Sequence, residues 1–469
     1  MNLLLAIFLV FYIFLAVRRL DWAVLLILVA LPTYLIRFNV FGLPLTLLEA
    51  MILSAFFVWL ITKTEFKNFL QGKYDWREFK ANREKRRAYP FGVEIILWLI
   101  VSFSAVAVAG LSDSALGIWK AYFFEPVLLY ILILNLFQGR KNLEKLFFAL
   151  IVSAWFISGL AVIQKFTGLW IFNQFWAEEA NRRVTSVFGY PNAVGLYLAP
   201  LVLLLVGFFF QLFVEGIKNK KFEKWKLAII SSAVIISLLA IYFAKSKGAL
   251  VGIAGGLFVF GFLAGGKKIK LATLAVILAF AFSLVSFPAL RDFSLDKTLY
   301  SKSYQIRQQQ WRETWKMLKD GRLVTGAGLA KYQEVVAPYH QEGIFLKDYR
   351  DPDWHEKTVR SAEFRAKVWQ PTEIYLYPHN LIFNFWSELG LAGVLLFVWI
   401  VAKFCWVIVR NLIHQPADEI RNFINIGLLG AMVVIMVHGL VDVPYFKNDL
   451  AVMFWAIIAI KSIADITSD

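Results

Sequence analysis

The sequence predicts an all-α polytopic membrane protein with about 12–13 transmembrane helices and one long extracytoplasmic loop. Three observations predict it. Of 469 residues, 59% are hydrophobic and 17% charged, and the mean hydropathy is +0.63, a balance far too apolar for one or two soluble domains. The apolar residues fall in successive runs long enough to cross a hydrocarbon core of about 30 Å, where the backbone must satisfy its own hydrogen bonds and helices are the natural solution. The formal net charge of +16 is scattered over short loops between those runs. Positive-inside anchoring explains that scatter without a nucleic-acid partner.

Spans are expected near 2–17, 21–36, 41–62, 91–110, 119–138, 146–165, 189–215, 227–243, 248–265, 271–288, 379–405, 421–441 and 449–464. The first run has no basic residue before it and Arg18-Arg19 after it, the reverse of a cleavable signal peptide, so it reads as a retained span. The lone Cys405 supports neither a disulfide framework nor a thiolate metal site. Segment 63–90 holds nine Lys/Arg against four acids and is therefore expected to be cytoplasmic. Alternation then puts 139–145, 218–226, 266–270 and 406–420 on the same side, and 166–188, the Lys245–Gly248 turn and 289–378 outside. The chain divides accordingly into an N-terminal bundle (1–288), an extracytoplasmic loop domain (289–378) and C-terminal helices (379–469).

The 90-residue outer loop carries fifteen Lys/Arg and twelve Asp/Glu and is chemically mixed, large enough to fold as a cap. Within it Tyr304, Arg307, Trp311, Trp315 and Leu318 recur at helical spacing, which predicts a helix with Arg307 on its apolar face. A guanidinium there snorkels outward or points at an anion held between cap and membrane.

Under this topology the unusual polar groups collect on the outer side: Arg182, Arg183, Lys245, Lys247, Arg307, His379, Glu49, Glu125 and the i, i+4 pair His438 and Asp442. Ionisable residues in a bundle face a cavity or one another, so an outward-opening cavity ringed by cations is expected. Two arginines and a lysine suit a diphosphate. Pro378 fits a first helical position, which would put His379 in the first turn. The positive end of the helix dipole there would favour a neutral, proton-accepting ring.

Three segments resemble signatures of the O-antigen ligase and polymerase superfamily: RVTSVFGYPNAVGLYLAP, RQQQWRETWKMLKDGRLVTGAGLAKY and PHNLIFNFWSELGLAGVLLF. The signature region runs over 166–400, and the layout of many spans with one long outer loop near the C-terminus is similar too. The resemblance implies a C-type glycosyltransferase-like fold. It also implies transfer of a glycan from undecaprenyl diphosphate to a lipid or glycan acceptor hydroxyl, in a bacterial inner membrane with the active site facing the periplasm, and with no metal, cofactor or nucleotide sugar. Carried over by motif, Arg183 and Arg307 would bind the diphosphate and His379 would be the general base. Lys247 stands where the family often has arginine, keeping the charge but losing the fork. Repeat-unit polymerisation, protein O-glycosylation and, from a different class, polysaccharide transport remain alternatives.

Other residues carry competing structural readings. Glu125, Asn192, Asn380 and Glu49 are candidates to line the cavity, although Asn192 also suits a helix cap and the two glutamates could pair with Lys120 or Arg37. Glu388, roughly 180° around a helix from His379, reads as a hydrogen-bond partner between helices. Arg182 reads as a solvated neighbour of Arg183. Asp351, Asp353 and His355 could hold a cation, but a proline-centred turn is the ordinary source of that pattern. Gly326 and Gly328 read as a tight turn after the cap helix.

Overall fold

The computed structural model describes residues 3–40, 42–62, 90–266, 300–414 and 422–466, with scattered residues between 270 and 286. The protein is an all-α polytopic membrane protein: it is 76% helical, and six described helices are long and apolar enough to cross a membrane. In chain order the bundle comprises α1 (Leu3–Arg18), α2 (Leu20–Val29), α3 (Leu47–Thr62), α4 (Gly92–Val108), α5 (Asp113–Leu136), α6 (Arg140–Thr167), α7 (Pro191–Lys218), α8 (Lys224–Phe243) and α9 (Lys247–Ala264). After the cap helix α10 (Lys302–Met317) come α11 (Leu381–His414), α12 (Phe423–His438) and α13 (Asn448–Ile466). Most of the expected span 271–288 and nearly all of the basic 63–90 loop lie outside the described residues, as do 267–269, 289–299 and 415–421.

Two expected spans change shape. The run 21–36 forms only a ten-residue α2 followed by a 3-10 turn, Leu31–Leu35, started at Pro32. The run 41–62 is helical only from Leu47, because Arg37–Val40 and Leu43–Thr46 pair as a short antiparallel hairpin, β1 and β2. Thr46 then caps α3. Its hydroxyl accepts from the Glu49 N–H at 3.2 Å and Glu49 reaches back to the Thr46 N–H, a reciprocal capping box. In α5 a π turn at Lys120–Phe124 precedes Glu125-Pro126. The wider turn absorbs a proline that has no N–H to give.

Close packing at the centre comes from glycines. Gly248, Gly252 and Gly256 recur every four residues on α9, and α12 lies against them: a Cβ on Gly256 would sit 2.9 Å from the Gly430 carbonyl and one on Gly248 2.5 Å from the His438 ring. Gly207 of α7 meets Gly427 of α12 in the same way, with 2.7 Å from a built Cβ to its Cα. Lipid gives helices little hydrophobic reason to associate, so small residues that let backbones touch take over that role. Gly252→Leu is expected to push α12 outward and to lower both the thermal stability of the detergent-solubilised protein and any activity that needs His438 and Asp442; unchanged unfolding would show that the contact is dispensable.

The segment Val324–Ala330 wedges between α4 and α11 where α11 is broken at Gly390, whose φ is 72°. Freed backbone groups find partners there: Leu391 N–H donates to Val324 O at 3.0 Å, Ala327 N–H to Ser387 O at 2.6 Å and Leu329 N–H to Ala105 O at 3.2 Å. Irregular backbone inside a bundle persists only when it is paid for in this way. Gly326 and Gly328, at φ 66° and 88°, are the turn expected from sequence, and each approaches neighbouring backbone too closely for a side chain. Glu388 accepts the Ala330 N–H at 2.8 Å, so it ties α11 to this wedge.

The cap is built around α10, a two-stranded pair of Gly343–Phe345 (β3) with Trp369–Pro371 (β4), and short helices Tyr332–Val336, Trp354–Arg360 and Ala362–Val368. Asp351 accepts from the Asp353 N–H at 3.1 Å and pairs with Lys357 at 2.8 Å, the proline-centred turn reading of that motif.

Candidate active site

His379 lies just outside α11. The expected helix start at Pro378 is corrected: α11 begins at Leu381, and Asn380 caps it, its side-chain oxygen accepting from Ile382 and Phe383 N–H at 3.0 Å each. The Asn380 amide donates to Leu440 O at 3.0 Å, and Leu381 N–H to Gly439 O at 2.7 Å, so the start of α11 is pinned to the turn after α12. His379 itself takes φ 46°, a left-handed conformation uncommon for a non-glycine residue that marks functional sites. Its Nδ1 lies 3.1 Å from Gln310 Oε1. With Gln310 Oε1 as the acceptor, Nδ1 carries the proton and Nε2 is the basic nitrogen. The ring stands edge-on to Tyr375 at 5.0 Å, and Trp311 Nε1 donates to Pro378 O at 2.9 Å, fixing the loop to the cap.

The α10 stripe needs a correction. The helix is present, but its buried face is Gln305, Gln309, Gln310, Glu313, Thr314 and Met317, one position round from the aromatic stripe. Most of the polar groups buried there are satisfied. Gln305 donates to Tyr300 O and Lys347 O, Glu313 accepts from Gln341 N–H and meets His340, and Gln310 meets His379. Trp311 and Trp315 instead line an apolar groove of about 500 Å³ with Ile382, Phe383 and Trp386. Arg307 sits between the two faces: Nη1 donates to Ser303 Oγ at 2.5 Å, while Nε is buried without a hydrogen-bond partner. Burial pushes its pKa down, and the negative charge of Asp442 opposes that; an arginine stays charged throughout.

Asp442, 3% exposed, is the hub. Its carboxylate accepts from Val443 N–H at 2.9 Å and from the Asn192 amide at 3.3 Å. Asn192 in turn accepts from Arg183 Nη2 at 3.1 Å, while Arg183 Nε donates to Ala244 O at 2.9 Å and the guanidinium stacks over Trp176 at 4.8 Å. Two of five guanidinium N–H donors are thereby used. Burial raises the Asp442 pKa, but the nearby His379, His438 and Arg307 charges outweigh it and hold the carboxyl below its usual range. His438 ends α12 against Gly248. Lys447 lies 4.2 Å over Tyr190, a further cation beside Asp442. The structure thus brings together His379, Arg307, Asn192, Arg183 and Asp442, although 250 residues separate Asn192 from Asp442.

Not every other expected site residue joins this network. Lys247 is exposed in the first turn of α9, and it is the next residue, Gly248, that the His438 ring packs against. Glu49 and Glu125 belong to a separate cluster: Glu49 pairs with Lys120 at 3.4 Å, with Glu125 beside both. Arg182 is not merely solvated; it donates to Ala177 O and Lys165 O at 3.1 and 3.0 Å and so holds the loop that presents Arg183. Sequence reasoning missed Gln310, Tyr375, Lys447 and the central place of Asp442. The polar run Gln308-Gln309-Gln310 inside an otherwise amphipathic helix was the available signal.

Burial holds the His379 pKa below the ordinary 6.5, with Asp442 pulling upward and Arg307 downward. A base works in its neutral form, so its action is complete above that pKa and is lost as the pH falls through it. Any reaction it serves is expected to be flat near neutrality and to drop on an acidic limb below pH 6.5, read from rates measured between about pH 5 and 8.

Residues 232–398 match the family described as O-antigen ligase. The match runs from α8 into α11 and takes in Arg307 and His379, but not Arg183, Asn192 or Asp442. No curated protein matches the chain.

Proposed function

We propose, the chain being a multi-pass membrane protein of the O-antigen ligase superfamily through residues 232–398, that it transfers a glycan from undecaprenyl diphosphate to an acceptor hydroxyl. The acceptor is lipid A-core or another surface glycan, and the reaction runs at the periplasmic face of the bacterial inner membrane. The observation that carries this reading is a half-buried histidine with Nδ1 facing Gln310 Oε1, beside Arg307, whose Nε has no hydrogen-bond partner. His379 Nε2 takes the acceptor hydroxyl proton. The freed oxygen attacks the anomeric carbon, the bond from that carbon to the diphosphate oxygen breaks with inversion, and undecaprenyl diphosphate leaves. Arg307 and Arg183 meet the charge that develops on the leaving group. Asp442, fixed by Asn192 and Val443 N–H, stabilises the transient imidazolium. These side chains supply acid–base and electrostatic catalysis, so we assign no metal or nucleotide sugar to the step. In this reading 289–378 is the periplasmic domain closing over the site between the two helical parts.

The purified protein in lipid, supplied with an undecaprenyl-diphosphate-linked glycan and acceptor, tests it. Transfer to the acceptor with release of undecaprenyl diphosphate is expected. In a strain lacking the protein, long glycan accumulating on its lipid carrier supports ligation, whereas accumulation of single repeat units points to polymerisation instead.

A further inference from the structure

A second cavity, about 470 Å³, opens between the β1–β2 hairpin, the π turn of α5 and the first turn of α13. Its polar lining is mixed in sign and in hydrogen-bonding sense. The Glu49–Lys120 ion pair contributes an acceptor and a donor. Tyr34 and Tyr122 contribute ring faces with hydroxyls. Asn448 lines the cavity, is 2% exposed, and neither its amide nitrogen nor its amide oxygen makes a hydrogen bond of regular geometry, although Glu125 lies within reach. A buried amide so weakly partnered is costly, and here it borders open space.

The lining decides the class of ligand. A phosphate would meet Arg37 and Lys120, but also Glu49, which already pairs with Lys120, and Glu125 behind it, so the charge of the lining is balanced rather than cationic. An acyl chain would strand the Asn448 amide. A sugar hydroxyl both gives and accepts, so it satisfies carboxylate, ammonium and amide together, while its C–H face stacks on tyrosine. The cavity also adjoins the catalytic loop, because the Tyr122 hydroxyl bonds to that of Tyr377, two residues before His379. We propose that this cavity is a saccharide subsite that holds the acceptor glycan, so that its terminal hydroxyl is presented toward His379; the assignment to the acceptor rests on the transferase reading above.

The test separates the two. In full-length Ser114→Cys protein, the new thiol stands on the exposed cavity lining. Its labelling by a membrane-impermeant maleimide is expected to slow several-fold with mild-acid-released envelope oligosaccharides of the host strain, and not with inorganic pyrophosphate. The protection is expected to disappear when Asn448→Ala is added. Slowing by pyrophosphate instead, or no slowing by the oligosaccharides, overturns the subsite whatever the transfer assay shows. Where transfer is measured, Asn448→Ala and the cavity-filling Ser114→Trp should each raise the acceptor KM about tenfold and leave the donor KM alone. A rise confined to the donor KM, or neither rising, overturns the assignment to the acceptor. Protection without any transfer by the unaltered protein would keep the saccharide site and remove the transferase reading.

Discussion

His379→Ala is expected to lower glycan transfer by about 10²- to 10⁴-fold, the usual contribution of a positioned general base, while the protein still inserts and folds. The ring makes one side-chain hydrogen bond, to Gln310, one to the Tyr377 backbone and one edge contact, to Tyr375, and the loop keeps its own anchors through Trp311 to Pro378 O and Asn380 to Leu440 O. Alanine also relieves little at φ 46°, so loss of activity would not be a folding effect. Gln310→Leu is a graded companion: it frees Nδ1 and the tautomer, and should shift the acidic limb of the pH profile rather than abolish transfer. Transfer at the unaltered rate in His379→Ala would remove the histidine from the mechanism.

Arg307→Ala is expected to weaken donor use by about 10²- to 10³-fold, the scale of losing one preorganised charge-stabilising group, with the larger part in capture of the lipid diphosphate. Arg307→Lys keeps the charge but cannot present the buried Nε, and should recover only part of it. Removing the cation also leaves Asp442 with one fewer positive neighbour, and an under-compensated buried charge is destabilising. Thermal unfolding therefore has to be followed alongside binding of undecaprenyl diphosphate. Unchanged affinity in a folded Arg307→Ala protein would make the arginine a structural support of the cap.

Much of this was legible in the chain. Long apolar runs define helices because lipid leaves the backbone no alternative, and the expected spans agree with the described helices to within a few residues over α7, α8 and α9, while α6 starts earlier, at Arg140. The failures share a cause. The hairpin at 37–46 and the broken α11 are set by partners remote in sequence, namely the Thr46–Glu49 box against Lys120 and the Val324–Ala330 wedge. Hydropathy reads through both without registering them. The α10 stripe was read by polarity, but in the cap burial follows whether a polar group finds a partner, and the glutamines find Lys347, Glu313 and His379.

By itself the sequence determined that the chain crosses a membrane many times, that one long loop is rich enough to fold over it, and that arginines and a histidine recur at the ends of spans on one side. Those properties are additive along the chain, since apolar length and loop charge act segment by segment. Which of those charged ends meet was decided only in three dimensions. The glycine seams of α9 and α12 bring His438 and Asp442 inward, Asn192 carries the connection to Arg183, and Glu49, equally visible in the sequence, is left with Lys120. Convergence of that kind depends on how closely backbones approach, which no local pattern encodes.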